Sequence, residues 1–328
     1  MINRRALLRT AAVGAAQAVA LPYLAREGFA QTPAHVLKLT MADTRNHPLY
    51  QVLLRFADNV KKKTNGAVEV QVYGTGELGS QLNILTGLQT GIIDLCAHTS
   101  GFIDTLFPQF QVMDLPFLFP DLTSAEKVLD GPVGKQLAGL MPSKGIYALS
   151  YGYWGWRATS TIDRKVPEPK DMKGLKIRVQ PGPIFAAMYR ALGANPIAID
   201  FSEIYLALSQ RTIEAIETPI ISLPAAKHYE VVKVINLTNH VYNAGVLMVS
   251  KRKFDSMPAN LQESLRAAAI EMTPTGANRW WRRRPRPRCS SNRRASASMR
   301  SIATPTASRL TAYTRSSATS SAPISSIR

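Results

Sequence analysis

One arginine at the end of a predicted strand is the residue of this sequence best suited to binding chemistry. Arg178 lies in the segment 175–179, LKIRV, whose apolar spacing predicts a short β-strand. A guanidinium group keeps its charge and can bind a carboxylate through two parallel hydrogen bonds. Because ligands of open α/β sheets bind beyond the carboxyl ends of the strands, this position indicates a site for an anion. The alternative is a surface ion pair with a nearby acid.

The elements around this arginine alternate between strand and helix. Helical spacing of apolar residues over 184–192 ends at Gly193, a residue suited to the left-handed conformation after a helix. A second strand is predicted at 196–199, Asp200 opens the next helix, and a third strand is predicted at 212–217. Strands joined by helices pair in parallel, which predicts an α/β fold whose strand ends open on one crevice.

A second set of polar side chains is expected at the same crevice. The apolar run 92–97 predicts a buried strand, and His98, Thr99 and Ser100 follow it directly. We take Thr99 as a candidate ligand-binding residue because its hydroxyl can donate to or accept from a ligand. A lone histidine is more often structural, and since no second histidine, cysteine or carboxylate stands at metal-binding spacing, we predict no metal site.

A literal GxGxxG motif stands at 74–79, between a predicted strand and a predicted helix. In dinucleotide-binding proteins, an acid at the end of the next strand holds the ribose, whereas Asp94 lies at the start of that strand. We therefore interpret the loop as a tight turn needed for packing and predict no cofactor. An NAD-dependent sugar-acid oxidoreductase is the alternative function, but no His, Glu and Asp constellation suitable for a general base is evident. We predict that the protein is not an enzyme.

Apolar periodicity predicts the remaining elements of the central region. The predicted strands are 36–41, 68–73, 145–151 and 245–250, and the predicted helices are 49–63, 123–140 and 258–272. A region of this length suits two cores of about 125 residues each rather than one.

The net charge of +18 is concentrated at the end of the chain. Residues 282–328 hold 11 of the 40 basic residues and none of the 22 acids, which leaves 25 basic and 21 acidic residues over 31–281. The central region therefore has the charge balance of an ordinary soluble protein, and we predict no nucleic-acid partner.

The Arg/Ser-rich tail at 282–328 has no lysine and no apolar period. It is interpreted either as a disordered polycation that contacts RNA or membrane, or as the wrong reading frame of a GC-rich gene. We favour the frameshift because the change is abrupt and interrupts a helical pattern at 271–281, which we expect to begin a C-terminal helix.

Residues 1–30 read as a twin-arginine signal peptide. Arg4 and Arg5 precede a mild, Ala-rich stretch, and small residues before Gln31 predict cleavage there, although an ordinary basic helix is the alternative. Export places the mature protein in the periplasm. The two cysteines, Cys96 and Cys289, lie in unlike contexts, and we predict no disulfide between them.

Several motifs resemble one family of transport proteins. In chain order they are GELGSQLNILTGLQTGIIDL, DLPFLFPD, the Gly155-x-Arg157 element, DMKGLKIRVQ, ALGANPIAIDFSEIYLAL and AIETP. Over about residues 36–270 the chain is similar to the solute-binding proteins of tripartite ATP-independent periplasmic (TRAP) transporters, DctP type. The resemblance implies a two-lobed periplasmic binding protein fold with a ligand cleft between the lobes, a small organic acid as ligand, and the TRAP membrane permease subunits as partners.

The resemblance also assigns roles to individual residues. It implies that Arg178 forms the salt bridge to the ligand carboxylate and that Arg157 is a second ligand-facing arginine. Glu217 and Thr218, in the Glu-x-Pro segment, are further candidate ligand-binding residues, and the hydroxyl of Thr218 would make the hydrogen bond that an asparagine usually makes there. Ahead of that segment, Arg211 and 214–215 replace the usual Gly and Asp-Gly, so the ligand is left open among C4-dicarboxylates, keto acids and sugar acids.

The two lobes are expected to be built from three segments of the chain, with approximate bounds. We assign 31–154 and 242–270 to lobe I and 155–241 to lobe II. Trp154, next to Tyr153 and Trp156, is interpreted either as an aromatic surface that buries the ligand or as plain core. We expect a monomer, with a dimer as the alternative.

Overall fold

The computed structural model describes residues 32–272. The predicted signal peptide, most of the predicted C-terminal helix at 271–281 and the arginine-rich tail lie outside the described residues. Within them, strands and helices alternate through most of the chain, so the α/β fold class is confirmed.

The elements are numbered here in chain order. The strands are β1 His35–Thr40, β2 Val68–Tyr73, β3 Leu95–Thr99, β4 Ile146–Thr161, β5 Lys176–Val179, β6 Asn195–Ala198, β7 Ala215–Pro219, β8 Val234–Asn236 and β9 Tyr242–Ser250. The helices are α1 Pro48–Lys63, α2 Gln81–Thr90, α3 Ser100–Ile103, α4 Leu122–Leu129, α5 Pro132–Leu140, α6 Pro183–Ala191, α7 Ile204–Ser209, α8 Ser222–Ala225, α9 Lys251–Asp255 and α10 Ala259–Ile270.

The strands form one mixed sheet in the order β2-β1-β3-β9-β4-β7-β5-β6, with β8 paired to β4. At one end, β1 pairs in parallel with β2 and β3; at the other, β5 pairs in parallel with β6 and β7. The parallel pairing predicted around Arg178 is therefore confirmed. The two long antiparallel strands β4 and β9 lie between the parallel groups.

Strand β4 joins the two halves of the sheet. It pairs with β9 from Ile146 to Trp156 and with β7 from Arg157 to Thr161. The sequence predicted a strand that ends at residue 151, but the strand continues because irregularities in its register twist it without breaking it. One of them lies at Gly155, whose φ of +111° is accessible to glycine. Arg157 is therefore the first residue of β4 in the second half.

Apolar side chains cover both faces of each half. Leu39 and Val249 belong to one cluster of the first half, whereas their neighbours in sequence on these strands, such as Met248, belong to the cluster on the opposite face. In the second half, Ile177 and Ile216 belong to two further clusters. Two helix-covered half-sheets, each with its own cores, make up the two lobes that the sequence analysis expected.

The single helix predicted over 123–140 is wrong at its centre. Helix α4 ends at Leu129 and α5 begins at Pro132, because proline has no N–H to donate and its ring clashes with a preceding helical turn. A Cβ at Gly134 would lie 1.7 Å from the backbone oxygen of Leu129. The glycine therefore lets the second helix pack directly against the end of the first.

Candidate functional site

Arg178 lies buried near the carboxyl end of β5, with 1% of its surface exposed. Its Nε donates a hydrogen bond to the backbone oxygen of Ile199 at 2.8 Å, while its Nη2 has no hydrogen-bond partner among the described residues. Burial lowers the pKa of this guanidinium to about 10, although the charge of Glu217 acts in the opposite direction. A buried cation with an unused donor is a site prepared for an anion.

Strand register separates the two predicted arginines. Arg178 aligns with Ile216 on β7, and Arg157 aligns with Pro219 on the same strand. Since side chains alternate between the faces of a strand, Arg178 shares its face with Thr218, whereas Arg157 shares the opposite face with Glu217.

The guanidinium group of Arg157 contacts Glu217, Asn243 and Phe185. Its Nε lies 2.5 Å from Oε2 of Glu217, and its Nη2 donates to Oε1 and to the backbone oxygen of Glu217, each at 2.6 Å. Its Nη1 donates to Oδ1 of Asn243 at 2.9 Å, and its guanidinium carbon lies 4.9 Å from the ring centre of Phe185. A guanidinium has five N–H groups, so one at Nη1 is left for a ligand.

Glu217 is ionised by this arrangement. Burial by itself favours the neutral carboxyl, but the charge and hydrogen bonds of Arg157, together with His240, outweigh it and hold the pKa of Glu217 below its usual value. The two side chains form a buried, mutually neutralised pair, with 0% of each residue exposed.

Further buried polar atoms in this region also have no hydrogen-bond partner among the described residues. They include the hydroxyl oxygen of Thr218, Nδ2 of Asn243 and Nδ1 of His228. The sequence analysis named Thr218 but not Asn243 or His228. A lone histidine and a lone asparagine carry no spacing signal; only the register of β9 against β4 and the folding of 226–230 bring them to the site.

Thr99 and Trp154 already make contacts within the protein. The hydroxyl of Thr99, the last residue of β3, accepts a hydrogen bond from Nε2 of Gln180 at 3.1 Å and keeps its own hydrogen to donate. Trp154 donates from Nε1 to Oδ2 of Asp43 at 3.1 Å, and its ring belongs to a core cluster of the first lobe. A Cβ at Gly245 would lie 2.0 Å from that ring, so the glycine makes room for it.

The lobes also contact each other directly across the cleft. Hydrogen bonds connect Gln81 to Asp200 at 2.9 Å, Gln180 to Thr99 at 3.1 Å, Gly182 to Gly101 at 3.2 Å and Thr44 to Ala225 at 2.8 Å. These bonds join the ends of β1, β3 and α2 in one lobe to segments after β5, β6 and β7 in the other. Opening of the cleft would expose all of them to water.

Asp104 is a carboxyl group trapped at this interface. Both of its oxygens are buried without a hydrogen-bond partner among the described residues, and a Cβ at Gly182 would lie 2.6 Å from Oδ2. Burial raises the pKa of Asp104 to about 7. Burial also raises the pKa of nearby Asp114, and the charge of Asp104 adds to this effect. Oδ1 of Asp114 accepts a hydrogen bond from the hydroxyl of Ser100 at 2.6 Å.

We expect Asp104→Asn to reduce the pH dependence of stability. The ordinary pKa of the carboxyl is 3.8, so between about pH 4 and pH 7 the folded chain holds a proton that the unfolded chain has released. Stability contributed by this group therefore falls as pH rises through that window, by about 1.4 kcal/mol per pKa unit. Melting temperatures at pH 5 and pH 8 measure the effect: the variant should gain most at pH 8. If the melting temperature of Asp104→Asn differs between pH 5 and pH 8 by as much as that of the parent chain, the prediction is wrong. The variant Asp255→Asn, which changes an exposed carboxylate, is the control.

The glycine-rich loop at 74–79 is a turn. Gly76 and Gly79 adopt φ values of +65° and +121°, and the side chain of Ser80 accepts a hydrogen bond from Asn83 at the start of α2. The interpretation as a backbone turn is therefore confirmed. Over 32–272, His, Cys, Asp and Glu form no group of three or more that could hold a metal ion.

Comparison with known proteins places this arrangement in a family. Residues 39–287 match the sequence profile of DctP, described as bacterial extracellular solute-binding protein, family 7. The chain belongs to this family. The two-lobed fold and the resemblance found in the sequence are thereby confirmed, and the family lends no support to the oxidoreductase alternative.

Individual relatives bind different acids. The chain is 36% identical over 217 residues to the 2,3-diketo-L-gulonate-binding periplasmic protein of Escherichia coli (strain K12), covering 66% of this chain and 66%, just under two thirds, of that protein. It is 32% identical over 239 residues to the C4-dicarboxylate-binding periplasmic protein of Rhodobacter capsulatus, covering 73% and 72% of the two chains.

The fold is also that of a solved sugar-acid complex. The sugar acid binding protein of Advenella mimigardefordensis strain DPN7T, crystallised with galactonate, is 27% identical, with a TM-score of 0.72 over 86% of this chain and 84% of that one. In the part of the chain that the structure describes, no helix is long and apolar enough to cross a membrane.

Proposed function

We propose that this member of the family is the extracytoplasmic solute-binding subunit of a TRAP transporter. It captures a small carboxylate-bearing organic anion in the periplasm and delivers it to the membrane permease. The observation that supports this most directly is the buried Nη2 of Arg178, a charged donor without a partner among the described residues. Burying such a donor unpaired is costly, and a ligand carboxylate removes that cost.

Arg178 and Thr218 are proposed to hold the ligand carboxylate together. They lie on one face of the second half-sheet, and each has a buried polar atom free for a hydrogen bond. Each charge-assisted hydrogen bond contributes about 1.5–3 kcal/mol. Two such bonds supply a large part of the roughly 8 kcal/mol that micromolar affinity requires.

Arg157, Glu217, Thr99 and Trp154 are proposed to act mainly through their neighbours. Glu217 holds Arg157, whose one remaining N–H at Nη1 can support the ligand from the opposite side of the strand. Thr99 can donate its hydroxyl hydrogen while it holds Gln180 of the other lobe. Trp154 fixes the carboxylate of Asp43 at the cleft.

Closure is proposed to accompany capture. The ligand contacts both lobes, and so it stabilises the closed arrangement in which the hydrogen bonds across the cleft form. The permease then receives the closed, loaded protein. We propose that the protein acts as a monomer, since each chain carries both lobes of one site.

Calorimetric titration of the purified full chain tests the function. C4-dicarboxylates, keto acids, sugar acids and aromatic acids are titrated separately, and melting temperature is recorded with each. We expect saturable binding of at least one class, one ligand per chain, with a higher melting temperature in its presence. Absence of binding by every class, or formation of an NAD-dependent product, would overturn the proposal.

A further inference from the structure

Buried positive charge is scarce in the cleft. Within 32–272, the arginine and lysine side chains that are buried are those of Arg157 and Arg178. Arg157 is neutralised by the carboxylate of Glu217, whereas Arg178 donates to the uncharged backbone oxygen of Ile199. One positive charge therefore remains for a ligand.

The histidines near Arg178 add no further charge at neutral pH. Burial, followed by the charge of Arg178, lowers the pKa of His228 to about 4. Burial likewise lowers the pKa values of His98 and His47. A second anionic group on a ligand would find no protonated histidine here.

Two carboxylates lie near enough to Arg178 for their charges to act on it. Asp200 directly follows Ile199, which accepts the hydrogen bond from Arg178, and Asp43 is fixed by Trp154. The charge of each raises the pKa of Arg178, although burial outweighs both. Oδ2 of Asp200 accepts from the backbone of Gln81 at 2.9 Å, so Asp200 lies where the lobes meet.

We propose that the cleft selects hydroxylated monocarboxylates over dicarboxylates of the same length. Arg178 binds the single carboxylate, while Asp43 and Asp200 accept hydrogen bonds from ligand hydroxyls and repel a second carboxylate. A carboxylate oxygen accepts but cannot donate, so it pairs with a hydroxyl and not with another ionised carboxylate. Specificity of this kind comes from a repulsive element as well as from attraction. The inference rests on the proposed function and narrows its ligand class.

Pairs of acids with the same number of carbons separate the effect of a second charge on affinity from the effect of ligand size. D-Erythronate and meso-tartrate share a four-carbon hydroxylated chain, as galactonate and galactarate share a six-carbon chain, and each pair differs in one terminal carboxylate. Calorimetry with the full-length protein at pH 7.5 should show the monocarboxylate of at least one pair binding at least about tenfold more tightly than its dicarboxylate.

Two carboxylate-to-amide variants test the residues. In Asp43→Asn and in Asp200→Asn, we expect the preference to shrink by about fivefold or more through tighter dicarboxylate binding. An asparagine oxygen can still accept the hydrogen bond from Trp154 in the first variant or from Gln81 in the second, so both should fold. Asp255→Asn removes an exposed carboxylate paired with Lys251 and should leave the ratio unchanged.

The outcomes separate this inference from the proposed function. If the dicarboxylate of each pair binds as tightly as its monocarboxylate or more tightly, the inference is overturned and the proposed function stands. Equal preference in both amide variants and the parent chain also overturns it. If no acid of these pairs or of the wider panel binds, the proposed function fails and the inference with it.

Discussion

Arg178→Met is expected to lower the affinity for the acid ligand by about 10-fold to 150-fold. The substitution removes the charge-assisted hydrogen bond from Nη2, about 1.5–3 kcal/mol, and each 1.4 kcal/mol is about a factor of ten in affinity. Methionine replaces the buried stem of the arginine with an apolar chain. Titration calorimetry with the best ligand of the panel gives the dissociation constant directly.

The same variant should fold at least as well as the parent chain without ligand. Burial lowers the pKa of Arg178, which means that the charged side chain reduces the free energy of unfolding until an anion binds. The melting temperature of the ligand-free variant should therefore be equal or higher, and its rise on addition of ligand should disappear. Arg211→Met, which removes an exposed arginine of the same lobe, is the control for loss of charge alone. Unchanged affinity in Arg178→Met would place the anion site elsewhere.

Arg157→Met is expected to destabilise the protein by about 3–5 kcal/mol, the usual effect of removing one partner of a buried ion pair. The carboxylate of Glu217 would remain buried between strands, facing His240 at 3.8 Å with only an uncharged imidazole to compensate it. Glu217→Gln should also destabilise, because it leaves the charge of Arg157 without its counter-ion. Urea unfolding at pH 7.5 measures both changes.

The double variant Arg157→Met with Glu217→Leu distinguishes an ion pair from general packing. Replacing a whole buried pair by apolar side chains is often close to neutral, so the double variant should be more stable than Arg157→Met alone. A double variant as unstable as the sum of its single changes would mean that the residues contribute independently. If the double variant also binds the acid with an affinity within about tenfold of the parent chain, Arg157 contributes to the site but does not supply most of the binding free energy.

Local chemistry made the second half of the sheet predictable. Strand and helix periodicity, the glycine after α6 and the aspartate before α7 all pointed to parallel units, and these units formed with Arg178 near a strand end. The prediction of one helix over 123–140 was wrong because it followed the apolar periodicity and gave too little weight to Pro132. A proline has no N–H to donate, so the helix before it ends. The long strand β4 was underestimated because a register irregularity at Gly155 leaves no alternating pattern to read.

The sequence by itself determined that the guanidinium group of Arg178 would lie near a strand end in an α/β fold, since residue type and spacing are properties of the chain. Tertiary structure decided which interactions that group and its neighbours make. The pairing of β4 with β7 gives Glu217 to Arg157 and leaves Arg178 with an unused donor, a distinction that no spacing along the chain contains. The approach of the lobes brings the charge of Asp43 toward Arg178, because these two residues lie far apart along the chain and become neighbours only when the sheet is assembled.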